Sequence, residues 1–149
     1  MFQEAYSHSR RKGALKGAFA RPELQESTIQ QFKGSSFDNI FQHVYKTCYV
    51  PKTIGALCIY DISAAICRHL QINIDNIFII GKGPQRAIRL LNLTPKTRTI
   101  GDITLKYVEI GDVLSAFHKK GYIIDPAIKD SKNGDTFESY LCKWQKNIK

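Results

Sequence analysis

Residues 56–70 constrain this chain more than any other stretch. Ile59, Ile62, Ile66 and Leu70 recur at helical spacing on one stripe, while Asp61 and Arg68 lie two turns apart on the other side. A helix this apolar must be buried, yet it is too short to cross a bilayer, as is every other apolar run in the sequence. It therefore predicts a water-soluble core built around one helix. Asp61 is read as the partner of Arg68 rather than as a catalytic acid.

The rest of the chain is punctuated by turn residues into short elements. Pro22 opens a short helix with Leu24, Ile29 and Phe32 inward, ended by Gly34. Residues 35–47 form a second helix, capped by Ser35 or Ser36, with Phe37, Ile40, Phe41, Val44 and Tyr45 on one face. Pro51 stops its continuation. Residues 76–80 are short and rich in β-branched and aromatic side chains, which favours a strand. Gly81 to Pro84 make a tight turn, and a helix runs from Pro84 to about Leu93, closed by Pro95. Residues 102–110 alternate as a strand with Ile103, Leu105 and Tyr107 on one side. Asp112 caps a helix through His118 with Gly121 beyond its end, and Tyr122–Ile124 read as a second strand. A polar loop then leads to a last helix that starts near Asp135, with Phe137, Tyr140, Leu141 and Trp144 inward. The expected class is α+β and mainly helical, with about five helices and two or three strands. Residues 1–21, poor in apolar residues, are expected to be a basic flexible arm, and 22–149 a single globular domain.

Charge says what such a domain meets. Lys and Arg number 22 against 13 Asp and Glu, a net +9 with pI near 9.5. The excess is uneven. Residues 34–80 hold three of each sign, whereas 81–100 hold Lys82, Arg86, Arg89, Lys96 and Arg98 with no acid. A polyanion is the first partner to consider, and the 81–100 block is its first contact.

Two segments share a local design. One runs from Val50 through Pro51, Lys52, Thr53, Ile54 and Gly55 into the 56–70 helix. The other runs from Ile80 through Gly81, Lys82, Gly83 and Pro84 to Leu91. Both resemble the helix-hairpin-helix family, and Gly55 and Gly83 stand 28 residues apart, as in a tandem pair. That resemblance implies a tandem helix-hairpin-helix core and DNA binding without sequence preference, because hairpin amides at a helix start hold phosphates and read no base edge. It assigns the amides of Ile54, Gly55 and Ala56 in the first copy and of Lys82, Gly83 and Gln85 in the second. Lys52, Thr53, Arg86 and Arg89 would add side-chain contacts. The chain is also similar to small uncharacterised bacterial and phage proteins with a Tyr-Asp helix, here Tyr60-Asp61, and a Leu-Cys-aromatic terminal helix, a likeness that implies no activity.

Two alternatives stay open. The Gly81–Pro84 loop between a strand and a helix is the layout of a phosphate cradle, and would suit a nucleotide or other phosphorylated ligand, with an enzyme as one version. The basic faces would equally suit an acidic protein partner. No nucleophile, metal-hydrolase or Walker signature is present, so the reading favours a binding protein over an enzyme, with no cofactor. Cys48, Cys58, Cys67 and Cys142 have no zinc spacing, and His8, His43, His69 and His118 are scattered. Buried thiols in a reducing, cytoplasmic setting are expected, with a Cys48–Cys58 bridge left open.

Overall fold

The computed structural model describes residues 20–49 and 55–148. Most of the expected N-terminal arm, and Lys52, Thr53 and Ile54 of the first hairpin, lie outside those residues. The chain divides into two units, Met1–Ile72 and Asn73–Lys149, each with its own packing.

In the first unit the segment after Pro22 is not one helix. A 3-10 turn at Pro22–Leu24, helix α1 at Glu26–Ile29 and a 3-10 turn at Gln30–Phe32 follow one another. The reason is angular: Leu24 and Ile29 are five residues apart, so a continuous α-helix would point them to different sides. The break lets both be fully buried. Helix α2 spans Phe37–Cys48, and Ser36 caps it by accepting the Asn39 N–H at 3.3 Å. Phe37, Ile40, Phe41, Val44 and Cys48 are its buried face, packed on helix α3, Ala56–His69. Nearly every residue of α3 from Cys58 to Cys67 is buried, as its apolar sequence requires. Ser63 satisfies its hydroxyl within the helix by donating to the Ile59 carbonyl at 2.7 Å. The cysteines form no disulfide.

The second unit is α+β. Strand β1 (Asn76–Phe78) leads to helix α4 (Lys82–Leu90), then β2 (Lys96–Ile100), β3 (Ile103–Glu109), α5 (Ile110–Lys119), α6 (Pro126–Ser131) and α7 (Gly134–Trp144), closed by a 3-10 turn at Gln145–Asn147. The sheet order is β1-β3-β2, all antiparallel. Ile77 pairs with Val108, and their shared face joins Ile88, Leu91, Val113, Phe117, Phe137 and Leu141 in one core under α4, α5 and α7. The opposite face carries Phe78 and Tyr107, paired in register with rings 6.3 Å apart.

The class is as expected: mainly helical α+β, with seven α-helices and one three-stranded sheet among the described residues. Several details differ. Residues 96–100 form a strand although two cations interrupt the apolar pattern, because β3 offers a pairing edge. Tyr122–Ile124 form no strand, since the Tyr122 N–H already ends α5 by bonding the Phe117 carbonyl at 2.9 Å. Part of the expected polar loop is helix α6, capped by Asp125 ahead of Pro126. The cap of α7 is Asn133, which accepts the Asp135 N–H, and Asp135 itself lies inside the helix.

Candidate nucleic-acid interface

Strand β1 precedes Gly81, so the second segment is strand–loop–helix and not helix–hairpin–helix. Residues 76–80 sit too close to the β3 edge, and are too β-branched, to turn as a helix. The first copy is placed only from Gly55 onward. Gly55 caps α3 with extended backbone, and a side chain there would meet nothing within 4 Å, so neither strain nor close approach demands glycine. Ala56, the first residue of α3, is half-buried. Gly55 and Gly83 belong to different units.

At the start of α4, Gly81 is the cap and Lys82 is exposed. The Gln85 amide is not open to a phosphate. It closes the first helical turn on the Gly81 carbonyl at 3.2 Å, while Pro84 has no N–H. That leaves the amides of Lys82 and Gly83. Gly83 has a different reason to be glycine: a Cβ there would lie 2.6 Å from Cys142 Sγ, so its absence lets α4 sit against α7.

Arg86 is committed to the fold. Its guanidinium donates to the Gln145 carbonyl, to Gln145 Oε1 at 2.8 Å and to the Ile148 carbonyl at 2.8 Å. It fastens the final turn of the chain to α4, a task for a planar fork of donors. Arg89, one turn further, is exposed. Lys96 pairs with Glu109 across the sheet at 3.1 Å, and that hydrogen bond and charge hold its ammonium above its ordinary pKa. Arg98 is half-buried, with its guanidinium 5.9 Å from the centre of the Phe78 ring. The acid-free block is thus divided between α4 and an edge strand, with Arg86 and Lys96 each engaged by other parts of the fold.

The tertiary structure supplies a different set. From Ser139 to the last residue the sequence also lacks acids, and it holds Lys143, Lys146 and Lys149. The approach of Gly83 to Cys142, and the Arg86 bonds to Gln145 and Ile148, join this run to α4. Lys82 and Arg89 on one helix, and Lys143 and Lys146 on the other segment, are all exposed. The acid-free run after Glu138 was visible in the sequence, but it is masked when charge is averaged with Asp125, Asp130 and Asp135. Among the described residues no group of three His, Cys, Asp or Glu side chains could hold a metal ion, and no helix is long and apolar enough to cross a membrane. No protein-family model, no curated protein and no solved structure matches the chain.

Proposed function

We propose that the chain binds nucleic acid, DNA in the first instance, without sequence preference, through the α4–α7 side of its second unit. One observation carries this reading: two acid-free, basic segments, distant in sequence, are packed together by Gly83 and Arg86. Lys82, Arg89, Lys143 and Lys146 are the phosphate contacts. Flexible lysines and a surface arginine attract a backbone without fixing a base. The remaining amides of Lys82 and Gly83 add the positive end of α4.

The test is fluorescence anisotropy with labelled mixed-sequence DNA across a salt series. Charge reversal at Arg89, Lys143 and Lys146 lowers affinity for every sequence and flattens the salt dependence, by a slope of about 0.9 for each lost phosphate contact on duplex. A chain that binds no DNA at low salt despite its charge, or whose affinity survives all three reversals, refutes the proposal.

A second reading draws on the strand–loop–helix order at Ile80–Gln85, which suits a phosphorylated small ligand. Thermal stabilisation by nucleotides, with none by DNA, would favour it. It is the weaker reading, because only two loop amides remain for a phosphate.

A further inference from the structure

Helix α5 ends on Gly121, whose φ of +72° is the left-handed conformation that glycine adopts without strain. Its N–H bonds the His118 carbonyl at 3.1 Å, and the Tyr122 N–H bonds the Phe117 carbonyl at 2.9 Å. This paired cap folds Tyr122 back over its own helix. Its ring meets Phe117 edge-on at 5.9 Å and Trp144 edge-on at 5.6 Å. Phe117, buried in the core, also holds Trp144 at 5.0 Å and Tyr140 at 6.3 Å. Tyr122 is nevertheless 40% exposed, and Ile123 beside it is 90% exposed. Tyr140 and Trp144 are each partly exposed. Two or three aromatic rings are therefore presented to solvent in fixed positions, anchored from below by a buried phenylalanine.

The surroundings are cationic. Lys119 and Lys120 immediately precede the turn, and both are exposed. Lys143 lies one helical turn from Tyr140 and next to Trp144, also exposed, and Lys146 follows on the closing 3-10 turn. The nearest acids in sequence are Glu138, half-buried two residues before Tyr140, and Asp125, whose carboxylate accepts the Ala127 N–H at 2.9 Å. Rings flanked by lysines match one ligand in both chemistries: bases whose faces are open, on a chain of phosphates. A duplex meets only the second requirement, because its base faces are already stacked.

We infer that Tyr122 and Trp144 form a stacking platform for single-stranded nucleic acid, with Lys119, Lys120 and Lys143 holding the adjoining phosphates. This rests on the nucleic-acid reading above and adds a strand preference to it. The rings need no ordering on binding, so their contact area converts into affinity with little loss of side-chain entropy.

The chain has one tryptophan, so its emission arises from within this platform. The full-length protein is titrated with oligothymidylate of about a dozen nucleotides, and separately with a mixed-sequence duplex. The expected result is saturable quenching of Trp144 by the single strand and much less by the duplex. Tyr122→Ala weakens single-strand binding roughly tenfold, in line with one lost base stack, and leaves duplex binding unchanged. Tyr122→Phe, which keeps the ring, restores the affinity. If the oligonucleotide binds with Trp144 emission unchanged and Tyr122→Ala binds like the parent, the platform is refuted while the nucleic-acid reading survives. If neither form of DNA binds, both fall. Emission that responds to phosphatidylserine vesicles, and not to oligonucleotide, refutes the platform in favour of a membrane surface.

Discussion

Arg86 and Arg89 look alike in the sequence, three residues apart on a basic helix, and the structure gives them opposite tasks. Arg86→Met keeps the apolar stem and removes the guanidinium. Three hydrogen bonds disappear: two to Gln145, which is buried, and one to the Ile148 carbonyl at the half-exposed end of the chain. Water can replace the last of these, so two are counted. At about 1.5 kcal/mol for each bond from a charged donor, the loss is about 3 kcal/mol. A unit of this size has a urea dependence near 1 kcal/mol per molar, so the midpoint should fall by roughly 2–3 M. Trp144 adjoins the turn that Arg86 holds, and its emission is the natural probe. Arg89→Met, on the exposed side, should shift stability by no more than about 0.5 kcal/mol. It should instead weaken DNA binding and flatten its salt dependence. An Arg86→Met chain that unfolds at the parent's urea concentration would refute the clamp. An Arg86→Met chain that stays folded and loses DNA affinity as Arg89→Met does would show that both arginines face the ligand.

Two further substitutions test packing and burial. Gly134 starts α7, donates its N–H to the Ile74 carbonyl, and has no room for a side chain: a Cβ would lie 1.9 Å from the Asn76 carbonyl oxygen. Gly134→Ala should destabilise the second unit by about 3 kcal/mol in urea titration, since strand backbone cannot yield as a side chain can. Gly111→Ala, also in the first turn of a helix but with nothing within 4 Å of the added methyl, should be neutral or stabilising by up to about 1 kcal/mol. Equal losses at both glycines would contradict this. Burial pushes the Cys48 thiol from its ordinary 9.0 up to about 11. Because the folded value is raised, the stability it contributes is complete below pH 9 and fades as pH rises towards 11. The gap in unfolding midpoint between the parent and Cys48→Ala should narrow over that interval, and a constant gap would disprove the assignment.

Local chemistry made much of this protein readable from the sequence. The Ser36 cap, four of the five residues read on the face of α2 (Phe37, Ile40, Phe41 and Val44, with Cys48 buried where the spacing predicts Tyr45) and the isoleucine stripe of α3 follow from spacing over a few turns. Gly121 marked the end of α5 for the same reason, since only the residues on either side of it set its conformation. What the sequence could not give depends on partners far along the chain. Residues 96–100 become a strand because β3 lies beside them, and Tyr122–Ile124 do not because the Tyr122 N–H is already taken by the Phe117 carbonyl at the end of α5. The sequence offers Gly83 as a phosphate-binding glycine, and only the tertiary structure adds a packing reason for it, because Cys142, far along the chain, fills the space a side chain would need. The positive charge was legible as a total, but a sum of charges has no geometry. Which basic segments meet was decided by the packing of α4 on α7, and which arginine was drawn into the fold was decided by three carbonyl and amide oxygens at the far end of the chain.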